Sequence, residues 1–123
     1  MKLRLAGNSL RLRLNQGEVA QFSKTGYVEE TVHFGPGASL AYVLESSTRI
    51  DAPRAHYRNG ELRIQIPASA GQEWVTTGRV GVSGQQSLDG GEQLSILIEK
   101  DFQCLHDGEQ DPDAYPNPLE ARQ

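Results

Sequence analysis

The residues that could do chemistry in this chain are cations that alternate with leucines near the N-terminus. Residues 2–5 read Lys-Leu-Arg-Leu, and residues 9–14 read Ser-Leu-Arg-Leu-Arg-Leu. Alternation at period 2 is typical of a β-strand, and it places the cations on one face and the leucines on the other. Guanidinium and ammonium groups gathered on one face bind phosphate or carboxylate groups.

A second basic stretch follows later in the chain. Residues 54–58 read Arg-Ala-His-Tyr-Arg and residues 61–66 read Glu-Leu-Arg-Ile-Gln-Ile, with Asn59-Gly60 between them. Asn-Gly between alternating runs is a strong hairpin signal, and Gly7-Asn8 supplies the same positive φ in the first stretch. The two hairpins predict a basic face for a protein or an anionic small molecule. Its candidate residues are Lys2, Arg4, Arg11, Arg13, Arg54, His56 and Arg63.

The two-residue turns also set the register of each hairpin. On the charged side of the first hairpin, Arg4 should face Arg11 and Lys2 should face Arg13. Like charges directly opposite one another are unfavourable. An anionic partner would relieve this repulsion. The alternative is a solvated face relieved by diagonal acids such as Glu29, Glu45 or Glu99.

Much of the first 28 residues recurs at an offset of 52. The same residue type is found 52 positions later for five residues: Leu10, Arg11, Thr25, Gly26 and Val28. Turn and core positions are where a structural repeat keeps its residues. We therefore predict one β-rich domain over residues 1–103, built from duplicated halves at 1–46 and 54–103. Each half should contain two strands, a helix and two further strands.

Capping residues mark the two predicted helices. Asn15 and Glu18 have the spacing of a capping box, and Gly26 suits the left-handed residue that ends a helix. For the second helix, the corresponding prediction is a cap at Ser69 with Gln72, and an end at Gly78.

The apolar strand faces decide the predicted fold class. Two helices of about eight residues are each about 12 Å long and cannot cover eight strands. The apolar faces, Leu3 and Leu5 included, should therefore meet each other. We predict an α+β, mainly β fold: an eight-stranded antiparallel barrel or two packed sheets, with the two helices plugging the ends and charged faces outward.

Composition limits the classes of partner and the location. The net charge is −4, and residues 101–123 hold six acids against Arg122. Residues 104–123 should form an acidic, proline-containing C-terminal arm. Overall negative charge argues against bulk nucleic-acid binding, and no apolar run is long enough to span a membrane. A single cysteine and the lack of a secretory signal pattern favour a cytoplasmic protein.

No pattern predicts a catalytic residue, a cofactor or a metal site. Cys104 and His106 form a Cys-x-His pair, but a metal needs three or four converging ligands. The other histidines are His33 and His56. The sequence leans towards a non-enzymatic binding module.

Several segments resemble a family of short bacterial proteins of unknown function. They are residues 1–4, 7–14, 33–37 (His-Phe-Gly-Pro-Gly), 98–102, 104–105 and 115–118 (Tyr-Pro-Asn-Pro). The resemblance implies no activity. The duplicated eight-stranded layout is also similar to the triphosphate tunnel (CYTH-like) enzymes, although their Glu-x-Glu-x-Lys opening strand is replaced here by residues 2–5.

Two alternatives to the binding module follow. A tunnel-type enzyme acting on a phosphorylated small molecule would need its arginines to point inward, with Leu10 and Leu12 outward. A third hypothesis is an oligomer that pairs through an exposed strand edge.

Overall fold

The computed structural model describes residues 1–102. It contains eight strands and two α-helices, with one 3₁₀ turn at Asp89–Gly91. In chain order the elements are β1 (Lys2–Ala6), β2 (Ser9–Leu14), α1 (Gln16–Thr25), β3 (Tyr27–Gly35), β4 (Ala38–Ser47), β5 (Arg54–Arg58), β6 (Glu61–Pro67), α2 (Ala68–Thr76), β7 (Gly81–Ser87) and β8 (Gln93–Lys100).

The strands form two four-stranded sheets. Sheet A has the order β1-β2-β8-β7, and sheet B has the order β3-β4-β6-β5. The hairpin pairings are antiparallel, but β2 pairs with β8, and β4 with β6, in parallel. The prediction of two packed sheets with two short helices is thus confirmed. The fold is mainly antiparallel, as predicted, with one parallel pairing in each sheet. Residues 1–102 form two separate sheets instead of a closed barrel.

The predicted hairpin registers are confirmed. Arg4 pairs with Arg11, and Lys2 with Arg13, as the two-residue turn at Gly7-Asn8 requires. The second hairpin pairs His56 with Arg63 across Asn59-Gly60. Gly7 has a φ of 56° and Asn59 a φ of 52°, so both turns use the left-handed region that their residue types favour.

One hydrophobic core joins the inner faces of both sheets. Leu12 and Ile98 from sheet A and Ile64 and Leu44 from sheet B are fully buried in it. Leu5 was predicted to lie in this core but is 65% exposed. It lies near the turn end of β1, an edge strand, where the inner faces of the two sheets are uncovered.

Both helices cap the same end of the two sheets. Each follows the end of one strand and precedes the start of another, and the rings of Phe22 and Trp74 meet edge to face at 5.9 Å between centroids. The four hairpin connections therefore lie at the opposite end. The prediction that the helices plug both ends was wrong.

Only the first helix is capped as predicted. The Asn15 side chain accepts from the Glu18 backbone N–H at 2.9 Å, and Glu18 accepts from the Asn15 N–H at 2.9 Å. Gly26 ends α1 in the left-handed region. In α2, Pro67 is the N-cap without a side-chain hydrogen bond and Thr77 is the C-cap, so the predicted caps at Ser69 and Gly78 were wrong.

The order of elements in residues 1–47 recurs in residues 53–100. Leu12 pairs with Ile98, and Ile64 pairs with Leu44, so exchanging the halves exchanges sheet A with sheet B. The offset is 52 between Leu12 and Ile64, as predicted, but 54 between Leu44 and Ile98. The connection between α2 and β7 is longer by three residues than that between α1 and β3, and α2 is shorter than α1 by one, which together account for the difference.

Candidate functional site

The cations of the first hairpin lie on the outer face of sheet A. Strand alternation buries Leu10, Leu12 and Leu14, so Arg11 and Arg13 point away from the core. The antiparallel pairing with β1 then places Arg4 and Lys2 beside them. The structure thus brings four of the seven predicted residues onto one surface.

Glu99 of β8 contacts two of these cations, Arg11 and Arg13. Arg13 Nε donates to Glu99 Oε1 at 2.8 Å. Arg11 Nε lies 2.7 Å from the same oxygen without the alignment of a hydrogen bond, and it has no other acceptor within the described residues. One carboxylate is therefore shared by two arginines, and Arg13 is the better satisfied of the two.

Lys2 lies at the edge of this face and is also paired. Its Nζ is 2.8 Å from Asp101 Oδ2. The hydrogen bond from Lys2 lowers the pKa of the Asp101 carboxyl. Arg4 forms no ion pair within residues 1–102. Arg4 is thus the cation of this face that is most available to an external anion.

The same face is concave. A shallow cavity of about 680 Å³ runs from Arg4 and Arg11 across small and polar side chains of β2, β8 and β7. Its lining includes Ala6, Ser9, Ser83, Gln85, Ser95 and Leu97. The Ser95 hydroxyl is 3.1 Å from the Gln85 side-chain oxygen, so hydroxyl and amide groups stand beside the guanidinium groups. The Ser9 and Ser95 hydroxyls already donate to Ala6 O and to Gln85 Oε1, so the donors for an anion are the guanidinium groups and the Gln85 NH₂.

The second hairpin lies on the outer face of the other sheet. Because the inner faces of the two sheets share one core, Arg54, His56 and Arg63 point to the opposite side of the molecule. Arg63 is held by Glu45 and, at 2.8 Å, by Glu61. The hydrogen bonds to Glu45 and then to Glu61 raise the pKa of Arg63. The seven predicted residues therefore do not form one site.

The two outer faces also differ in charge. On sheet B, Glu29, Glu45 and Glu61 share the face with Arg54, Arg58 and Arg63, which balances the full charges. On sheet A, Glu99 is the single acid that the described strands place beside four cations. The excess of positive charge is a property of sheet A.

Sequence reasoning missed the lining that β7 and β8 contribute to the cavity. Ser95 and Leu97 lie beside Ser9 and Arg11 only because β2 and β8 pair in parallel. Parallel strands are not joined by a tight turn, so no local motif in the sequence sets the register of this pairing. The available signal was the alternation of Ser95, Leu97 and Glu99 with buried isoleucines.

The described residues were also compared with the patterns of metal sites and membrane-spanning helices. Within residues 1–102, no group of three or more His, Cys, Asp or Glu could hold a metal ion. His33 and His56 lie on strands at opposite edges of sheet B. Cys104, His106 and the predicted arm at 104–123 lie outside the described residues. In the part of the chain that the structure describes, no helix has the length and apolarity to cross a membrane.

The comparisons with known proteins concern the chain as a whole. A family model described as a family of unknown function (DUF7009) matches residues 1–119. No curated protein and no solved structure matches the chain. The predicted resemblance to a family of unknown function is thus confirmed. Because the match covers nearly the whole sequence, the chain belongs to DUF7009, a family of unknown function.

Proposed function

We propose that this protein is a non-enzymatic binding module whose ligand is an anionic group held on the outer face of sheet A. The observation that carries the proposal is the Arg4–Arg11 pair. The two residues are direct neighbours across β1 and β2, on a concave surface lined by serines. Cβ atoms of opposed residues lie about 4.5–5.5 Å apart, so one anion can contact both guanidinium groups.

The charge balance supports an external anion. Glu99 already binds Arg13, and its contact with Arg11 lacks hydrogen-bond alignment. Because Arg11 Nε is buried against Glu99, an external anion would be contacted by the terminal nitrogens of Arg11 and by Arg4. A phosphate or carboxylate group placed between them would accept these donors and remove the like-charge repulsion. Lys2 and Arg13 would add to the local positive potential.

The tunnel-enzyme alternative requires a different interior. Its arginines would have to point inward, but Leu10 and Leu12 fill the core and Arg11 and Arg13 lie outside it. The binding module needs no such rearrangement. We also propose a cytoplasmic location, since the chain has one cysteine.

We further infer that the two halves arose by duplication. The support is the recurrence of the same element order, together with the exchange of the two sheets when the halves are exchanged. Under this proposal, sheet A retained excess cations on its outer face, while Glu29 and Glu45 of the first half and Glu61 of the second neutralise the outer face of sheet B.

The proposal is tested by binding of tripolyphosphate, measured by calorimetry at low salt. Arg4→Glu removes a cation that forms no ion pair within residues 1–102. Because a hydrogen bond to a charged group contributes about 1.5–3 kcal/mol, we expect affinity to fall by roughly tenfold to a hundredfold.

Arg58→Glu is the matched control. Arg58 is also an exposed arginine on an edge strand, but it lies on sheet B. Both variants change the net charge equally, so a general electrostatic effect would weaken binding equally. Equal losses in the two variants, or no binding by the unmodified protein, would contradict the proposal.

A further inference from the structure

An apolar groove opens at the end of the molecule that carries the hairpin turns. The helices cap the other end, and here the inner faces of the two sheets are left uncovered. Leu5, Phe34 and Tyr57 are each about two-thirds exposed and line one groove of about 870 Å³. Leu3 and Leu40 continue its walls. This feature is separate from the basic face of sheet A.

The groove runs across the turn end from Leu5 of β1 and Phe34 of β3 to Tyr57 of β5. It opens between β1 and β3, because the opposite edges of the two sheets, β5 and β7, are closed. On that closed side, Pro53 packs against Gly84, and a Cβ atom built on Gly84 would stand 2.9 Å from Pro53 Cδ. The Ala55 backbone N–H also donates to the Gln86 side chain at 2.7 Å. Small and polar residues therefore seal the β5–β7 side.

The positions on the open side that correspond to Ala55 and Gln86 carry bulky apolar residues. At the offsets found above, Leu3 corresponds to Ala55 and Val32 to Gln86. Val32 has no side-chain acceptor, so it cannot accept the hydrogen bond that Gln86 accepts from the Ala55 N–H. The two sheets are instead linked near the helix end, where Met1 contacts Glu30 and accepts a hydrogen bond from Tyr42. The turn end stays open.

The edge strand β3 borders this groove, and its second half is unprotected. Edge strands usually carry charges that discourage pairing with another chain. β1 carries Lys2 and Arg4, and β5 carries two arginines, but residues 31–35 read Thr-Val-His-Phe-Gly. All five are exposed. Two identical strands of this sequence can meet without opposing full charges, whereas two copies of β1 or β5 could not.

We propose that this open end is the interface of a homodimer in which β3 pairs with β3 of a second copy. A two-fold axis brings identical edges together in antiparallel orientation, which makes a self-complementary contact. Sheet B then continues into its partner, and Val32 and Phe34 of both copies lie between the two β1 strands. Phe34 and Leu5 gain an apolar environment in place of water.

The apolar part of this interface comes from residues at or beside β3. Leu5, Val32 and Phe34 present on the order of 300 Å² of apolar side chain. A standard interface buries about 800 Å² per partner, of which rather more than half is non-polar. The β3 backbone and the neighbouring turn residues Gly37 and Ser39 supply the polar remainder.

Sedimentation velocity from about 1 to 100 µM tests the proposal. We expect the unmodified chain to reach a dimer within this range and Phe34→Asp to remain monomeric. Phe102→Asp is the control, because Phe102 is 64% exposed against 70% for Phe34 and lies at the helix end. It should dimerise like the unmodified chain.

A second matched pair of variants tests whether the loss of the dimer depends on more than the Phe34 side chain. Val32→Lys should abolish the dimer and Val80→Lys should not, since Val80 is an exposed valine outside β3. Circular dichroism confirms that each variant is folded. A monomeric unmodified chain throughout the range would overturn the proposal, and so would dimers of unchanged strength in both Phe34→Asp and Val32→Lys.

Discussion

At the scale of single residues, the account depends on which charges are already paired. Glu99, Glu45 and Asp101 are engaged with Arg13, Arg63 and Lys2. The diagonal acids that the sequence suggested thus do relieve part of the repulsion. Period-2 alternation predicted which face each arginine takes. It could not predict that Glu99 would serve two arginines, because that contact depends on a parallel pairing between distant segments.

Glu18 provides a pH-dependent test at this scale. Desolvation would raise the pKa of its carboxyl, but hydrogen bonds from the Met1 amine and from the Asn15 N–H outweigh this and lower the pKa below 4.5. A lowered pKa in the folded state stabilises the protein above the unfolded value, and this stability is lost as the pH falls through the folded value.

Glu18→Gln should therefore cost about 1–2 kcal/mol of unfolding free energy near pH 7. The difference from the unmodified protein should shrink as the pH falls below 4.5. Urea unfolding at pH 7 and pH 3 measures both values. Glu92→Gln is the control, because Glu92 is exposed and its side chain forms no ion pair within the described residues. A Glu18→Gln deficit of the same size at both pH values would disprove this role.

At the scale of elements, short sequence motifs predicted the hairpin turns and the cap of the first helix, but not the contacts between distant segments. Asn59-Gly60 and the capping box at Asn15 act within a few residues, and both were confirmed. Gly84 lies inside β7, where the absence of a side chain lets Pro53 approach. A sequence shows the glycine but not the distant residue that requires it.

Gly84→Ala should therefore destabilise the protein. The new Cβ would stand 2.9 Å from the Pro53 ring, which has little freedom to move. Overpacking of this kind costs about 1–3 kcal/mol. Thermal unfolding measures the loss. Gly78→Ala is the matched control, since a Cβ there meets nothing within 4 Å and its φ is ordinary. Equal midpoints for the two variants would mean that the β5–β7 closure adds little.

At the scale of the whole molecule, the two halves combine into one two-sheet core. The sequence predicted the strand content and the inward apolar faces, and both follow from periodicity. It did not predict that each sheet takes one hairpin from each half, since the pairings of β2 with β8 and β4 with β6 join segments without a shared turn. That exchange places the two basic hairpins on opposite sides. It also leaves sheet A with the excess of cations.

The central claim is that the outer face of sheet A, and not that of sheet B, binds an anion. The most direct measurement is a titration of the ¹⁵N-labelled protein with tripolyphosphate, followed by amide chemical shifts. The account predicts that shifts concentrate at Arg4, Ser9, Arg11 and Ser95, which line the cavity of sheet A. Equal shifts at His56 and Arg63 on sheet B, or no shifts at Arg4 and Arg11, would contradict it.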